Sequence, residues 1–128
     1  MPKKKIFVAD DREEVLSMLK DFLVSKGYEV MGSKDPKQLV KSIKNFKPHL
    51  ILLDLLMPDL DGFEICRILN NDPEEQTIPI IIMSGLSDLV DIKRAYTLGV
   101  VGYIVKPFDL NVVATEIEKA LANKESPQ

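Results

Sequence analysis

An alternation of two spacings constrains this chain more than any other feature. Short aliphatic runs without helical periodicity occupy residues 6–9, 50–53, 78–83 and 103–105, with a weaker one at 28–31. A run of apolar residues with no polar alternation is the pattern of a strand buried on both faces. Between the runs, apolar residues recur at intervals of three and four: Val15, Leu16, Met18, Leu19, Phe22 and Leu23; then Leu39, Val40, Ile43 and Phe46; then Phe63, Cys66 and Leu69. Leu89, Ile92, Ala95 and Tyr96 continue the series, and Val113, Ile117, Ala120 and Leu121 close it. Each stripe predicts a helix with one face on a core. Five β–α units in series imply right-handed crossovers and helices on both sides of a sheet. The expected fold is an α/β domain, a doubly wound five-stranded parallel sheet with five helices.

Punctuation falls where this division needs it. Asp35-Pro36 supplies an N-cap and a proline for the first helical position, while Ser87 and Asp109 are expected to cap the fourth and fifth helices. Gly27 and Gly99 stand where a chain leaves a helix through a left-handed residue. A length of 128 residues closes one core without staples. A single domain over 1–128 is expected, with its core at about 4–122 and a tail or linker at 123–128.

Composition removes several classes of function. Cys66 is the only cysteine and His49 the only histidine, so an internal disulfide is impossible and a zinc site needing several such ligands is excluded. Any metal here must be held by oxygen. A net charge of −3 argues against a sequence-independent nucleic-acid binder, which needs a basic surface; Lys3, Lys4 and Lys5 read as a solvated terminus. No apolar run approaches the ~20 residues of a membrane span, and the few apolar residues after Lys5 are too short for the core of a signal peptide. The expectation is a cytoplasmic protein with no membrane insertion and no direct nucleic-acid contact. His49, before its strand, and Cys66, on an apolar helical face, read as structural.

In open α/β sheets, ligands bind outside the carboxyl ends of the strands. The residues that end or follow the runs are Asp10 and Asp11, Asp54, Ser84, and Lys106 with Pro107. Taken singly, each has an ordinary explanation: Asp11 as a helix cap, Asp54 as a turn residue, Ser84 as a loop hydroxyl, Lys106 as a solvated strand end. Taken together, three carboxylates on one edge repel and require a cation, a proton or strong donors among them. Magnesium suits a site of one or two carboxylates completed by water and a phosphoryl group.

This constellation resembles the receiver domain of two-component response regulators. Four segments carry the resemblance: "VADD" at 8–11, "LLDLLMPDLDG" at 52–62, "IIMSG" at 81–85 and "GYIVKPF" at 102–108. It implies a flavodoxin-like sheet of strand order 2-1-3-4-5 and a regulatory phosphoacceptor rather than an enzyme. By the same resemblance, Asp54 accepts a phosphoryl group from a sensor histidine kinase or phosphotransfer protein. Asp11, Asp54 and the backbone carbonyl of Leu56 would ligate Mg2+ (or Mn2+), with Asp10 acting through water. Lys106 would pair with a phosphoryl oxygen, aimed by a cis bond to Pro107; Ser84 would donate to another, and Gly85 would leave the approach open. Ser84 and Tyr103 would form the switch that alters a face on the fourth helix, fifth strand and fifth helix. A downstream output domain or partner protein would read that face.

The sequence departs from the family pattern at Leu56 and Leu86, where many relatives carry polar residues, and at Val100-Val101, where small and polar residues are common. Competing readings are weighed by the same residues. An aspartyl-phosphate phosphatase resembles a pattern with a second Asp two positions after the first, which here is Leu56. A flavin carrier of this topology binds phosphate after its first strand, where Asp10 and Asp11 would repel it. The alternative that keeps the fold is a pseudo-receiver that binds partners without phosphorylation.

Overall fold

The computed structural model describes residues 2–125. In chain order the elements are β1 (Lys5–Ala9), α1 (Glu13–Ser25), β2 (Glu29–Ser33), a 3-10 turn (Pro36–Gln38), α2 (Leu39–Phe46) and β3 (Leu50–Asp54). A two-rung hairpin, β4 (Leu56–Met57) and β5 (Leu60–Asp61), leads into α3 (Gly62–Asn71). There follow β6 (Ile80–Ser84), α4 (Leu89–Thr97), β7 (Gly102–Val105) and α5 (Leu110–Glu125). The main sheet is parallel throughout and ordered β2-β1-β3-β6-β7. Without the hairpin, this is the expected order 2-1-3-4-5.

Alternation along the strands divides the core in two. Phe7, Ile51, Leu53 and Ile82 face one side, where they pack with Leu39, Ile43, Phe63, Cys66, Leu69 and Ala95 of α2, α3 and α4. Their neighbours Ile6, Val8, Leu50, Leu52, Ile81 and Met83 face the other, against Leu19 and Leu23 of α1 and Val113, Ile117 and Leu121 of α5. Each side chain so buried contributes ~1.5–3 kcal/mol relative to exposure. A strand with a layer on each face cannot shift register without moving every residue to the wrong layer. The strand ends are therefore fixed relative to one another.

Local signals behave mostly as expected. The Asp35 carboxylate accepts from the Lys37 N–H at 3.0 Å and the Asp109 carboxylate from the Asn111 N–H at 2.7 Å. Gly27 and Gly99 lie just beyond α1 and α4 at φ +96° and +98°, a conformation in which a Cβ is strained.

Four details differ. The N-cap of α4 is Asp88, not Ser87, and it makes no side-chain cap bond. The run at 78–83 begins as strand only at Ile80, because the Ile78 N–H turns back to the Glu75 carbonyl and Pro79 has no N–H to pair. On α4 only Ala95 of the apolar stripe is fully buried, whereas Leu89 is 64% and Tyr96 48% exposed. Helix α5 continues through Glu125, so 123–125 are helical; residues 126–128 of the expected tail lie outside the described residues.

Candidate functional site

Parallel strands in register bring their carboxyl ends side by side. Ala9 pairs with Leu53, Asp54 with Met83, and Ser84 with Val105, so Asp10, Asp54, Ser84 and Lys106 are neighbours across four strand ends. The Lys106 N–H donates to the Ser84 carbonyl at 2.8 Å, extending the β6–β7 ladder to the lysine itself. The Lys106–Pro107 peptide is cis.

The Lys106 ammonium lies between two carboxylates, donating to Asp10 Oδ2 at 2.7 Å and Asp54 Oδ2 at 3.0 Å. The remaining oxygens are held by backbone. Asp10 Oδ1 accepts from the Arg12 N–H at 3.0 Å, and Asp54 Oδ1 from the Leu56 N–H at 2.9 Å. Asp10 is fully buried and Asp54 only 3% exposed. Asp11 is half-buried and brings a third carboxylate oxygen, all three lying within 4.8 Å of one another. Helix α1 is entered through Arg12 without a side-chain cap bond, so capping does not account for Asp11.

Electrostatics favours one more cation here. Burial pushes the Asp54 carboxyl above its ordinary range; the Leu56 N–H and Lys106 oppose this, while Asp10 reinforces it. Burial works against the Lys106 ammonium too, but its hydrogen bonds to Asp10 and Asp54 outweigh that and its pKa is raised. One ammonium among three carboxylates leaves a local deficit of positive charge, and the donors left over are hard carboxylate oxygens. Such a set fits magnesium or manganese.

Ser84 is fully buried, its Oγ accepting from the Leu86 N–H at 3.1 Å. The half-buried Tyr103 hydroxyl donates to the Leu86 carbonyl at 2.7 Å. One residue of the β6–α4 loop thus tethers both. The Leu56 side chain is 55% exposed beside Asp54.

Gly62 opens α3 directly after the hairpin. A Cβ there would lie 2.5 Å from Leu55 Cα, so the α3 start can approach the segment after Asp54 only through glycine. At Gly85, by contrast, a Cβ meets nothing within 4 Å, and local packing does not demand that glycine. His49 lies at the opposite edge, where its Nδ1 accepts from the Lys5 N–H at 2.9 Å. Cys66 is fully buried, and burial pushes its thiol up to about 12.

A family model described as the response regulator receiver domain matches residues 6–118. The chain belongs to that family. Among relatives of this receiver domain, a probable transcriptional regulator of Porphyridium aerugineum is 35% identical over 99% of the chain and 55% of that protein. The alkaline phosphatase synthesis transcriptional regulatory protein PhoP of Bacillus subtilis is 32% identical over 95% and 50%. The receiver chain thus spans about half the length of the curated relatives it matches. Among solved structures, a two-component response regulator from Clostridium difficile superposes with a TM-score of 0.90 at 26% identity, covering 97% of this chain and 100% of that one. A CheY-like receiver domain protein from Methanospirillum hungatei gives 0.90 at 25%, covering 97% and 98%.

Proposed function

We propose that the chain is a phosphorylation-controlled signalling module whose phosphoacceptor is Asp54. The observation that carries this reading is the setting of that carboxylate. It ends a strand buried on both faces, its oxygens are held by one backbone N–H and one ammonium, and two further carboxylates stand within 4.8 Å. A structural aspartate gains nothing from such neighbours, whereas a phosphoryl acceptor needs a fixed nucleophile in a site built for anionic oxygens.

In the proposed transfer, an Asp54 oxygen forms the new P–O bond as the P–N bond of a phosphohistidine donor breaks, its electron pair remaining on the imidazole. The donor is a sensor histidine kinase or a phosphotransfer protein. Lys106, already on Asp54 Oδ2, moves little to pair with a phosphoryl oxygen, and the strand fixes the line of attack. Asp10, Asp11, Asp54 and the Leu56 carbonyl would hold Mg2+ (or Mn2+), which when bound neutralises charge on the phosphoryl oxygens.

Ser84 and Tyr103 are the proposed switch. The new anion attracts the Ser84 hydroxyl away from the Leu86 N–H, and the loop that also binds the Tyr103 hydroxyl moves with it. The surface affected is the one on α4, β7 and α5 where Leu89, Val90, Tyr96, Val101, Val105 and Val112 are exposed. That surface would be read by an output domain or a separate partner protein.

The experiment is transfer of labelled phosphate from a phosphorylated histidine kinase in Mg2+. Wild type is expected to take up label and Asp54→Asn none, with both giving the same far-ultraviolet circular dichroism. Equal labelling of the variant would overturn the assignment.

A further inference from the structure

Helix α1 begins with a residue that its own stability argues against. Arg12 is the N-cap, a position where Ser, Thr, Asn or Asp would satisfy a free N–H and where the positive end of the helix dipole disfavours a cation. Arg12 makes no side-chain cap bond. Its guanidinium is 61% exposed, and its ion pair is a 3.5 Å contact with Glu14, itself 74% exposed. A pair so open to solvent holds little. What fixes Arg12 is its main chain, whose N–H donates to Asp10 Oδ1 at 3.0 Å and whose carbonyl accepts from the Leu16 N–H at 3.0 Å. The residue is anchored beside the carboxylate cluster with its side chain left to solvent. A local rule broken next to a site points to the site.

The surroundings set what that side chain can do. Arg12 lines a cleft of about 370 Å³ with Val15 and Met18 of α1 and with Lys106, Pro107 and Phe108. Of the two cations in this cleft, Lys106 is taken up by Asp10 and Asp54. Arg12 is the other. The neighbouring Glu13 is paired with Lys34 at 2.9 Å and does not compete for it. An anionic phosphoryl donor approaching Asp54 meets three carboxylates, Asp10, Asp11 and Asp54, against one ammonium, a sum that a dication would bring only to zero. A further positive charge at the mouth supplies the attraction that such a donor otherwise lacks.

We propose that Arg12 recognises the phosphoryl donor: its guanidinium takes two oxygens of the incoming phosphoryl group in this cleft and holds it beside Lys106 until transfer to Asp54. The inference rests on Asp54 as the acceptor. A guanidinium presents two parallel N–H groups that match phosphate oxygens, a fit an ammonium lacks. The ligand is a phosphoryl group on nitrogen, the chemistry shared by a kinase phosphohistidine and by phosphoramidate. With phosphoramidate the bond from the Asp54 oxygen to phosphorus forms as the P–N bond breaks, and the nitrogen leaves with its electron pair as ammonia. Arg12 keeps its proton throughout.

The test is labelling of the 128-residue chain in Mg2+ with radiolabelled phosphoramidate over a range of concentrations, for wild type, Arg12→Gln and Arg12→Lys. The half-saturating donor concentration should rise about fivefold in Arg12→Gln, or ~1 kcal/mol, and about twofold in Arg12→Lys, with limiting rates changing far less. Added salt should shrink the difference, because the contact lies in solvent. The main-chain bonds at residue 12 do not depend on its side chain, so circular dichroism should report all three proteins folded alike. A second arm uses Asp54→Asn: phosphoramidate titrated into that 15N-labelled chain should shift the Arg12 Nε–H signal without any transfer. Equal labelling of Asp54→Asn and wild type would strike the acceptor assignment, and this second arm would still judge Arg12. An Arg12 Nε–H signal that stays in place, an unchanged half-saturating concentration in Arg12→Gln, or a defect with phosphorylated kinase as donor but none with phosphoramidate, would each overturn the proposal.

Discussion

Replacing Asp54 by asparagine should make the metal-free protein more stable. The charge on Asp54 faces two like charges within 4.8 Å, and at an effective dielectric near 20 each repels it by at least ~3.5 kcal/mol. Against this stands one ammonium at 3.0 Å, which on the same scale attracts it by ~5.5 kcal/mol. Repulsion and attraction roughly offset, so the desolvation of a nearly buried carboxylate, the largest influence on Asp54, decides the sign. Asparagine keeps the oxygen that accepts from the Leu56 N–H; its amide nitrogen takes the place of Oδ2 and cannot accept from Lys106, which retains Asp10. A gain of about 1–2 kcal/mol follows, or a melting temperature higher by roughly 3–8 °C.

The pH dependence has a definite sign. Because burial holds the Asp54 carboxyl above its ordinary value of 3.8, the folded state binds that proton more tightly than the unfolded one. The wild-type penalty is therefore absent below pH 3.8 and grows as pH rises through the higher folded value. The assay is urea unfolding of both proteins in chelator at a series of pH values from neutral downward. The variant should lead at neutral pH and its advantage should shrink on acidification. A variant less stable than wild type at neutral pH, or an advantage indifferent to pH, would refute the reasoning.

Other expectations follow from single contacts. Ser84→Ala and Tyr103→Ala should accept label from a kinase normally but blunt the response of a partner that distinguishes the two forms, as measured by binding with and without phosphorylation. Gly62→Ala, which places a Cβ against the Leu55 backbone, should cost about 1–3 kcal/mol in urea unfolding. Cys66, with its thiol pushed to about 12, should resist iodoacetamide at pH 8 and react only on addition of denaturant. Leu56→Asn, at an exposed position where a polar side chain can orient water, should speed loss of the phosphoryl group about tenfold, or ~1.4 kcal/mol of barrier, in a label-decay assay.

The parallel sheet was legible because β3 and the core of β6 are apolar at consecutive positions, a pattern only two-faced burial produces. Once the strands were placed, the convergence of Asp10, Asp54, Ser84 and Lys106 followed, since parallel strands end together. What the sequence concealed depends on contacts between segments. Nothing local distinguishes Asp10, which holds the Arg12 N–H, from Asp11, which does not cap the helix. The hairpin at 56–61 has too few residues for any period to register, and Asp59 at φ +60° gives no sign beyond being a good turn residue. The stripe on α4 had the spacing of a buried face, yet Leu89 and Tyr96 stay exposed because amphipathic spacing does not state what covers it.

The central claim is the identity of the acceptor, and the chemistry of an acyl phosphate permits a direct reading. Borohydride reduces an aspartyl phosphate to homoserine and leaves free carboxylates intact, so the acceptor is converted at its own position in the chain. Protein phosphorylated in Mg2+, reduced and digested is then mapped by tandem mass spectrometry. Homoserine at position 54, absent when Mg2+ is replaced by chelator, is the predicted result. Homoserine at Asp10, Asp11 or Asp61 instead, or none in protein that has demonstrably taken up phosphate, would contradict the account.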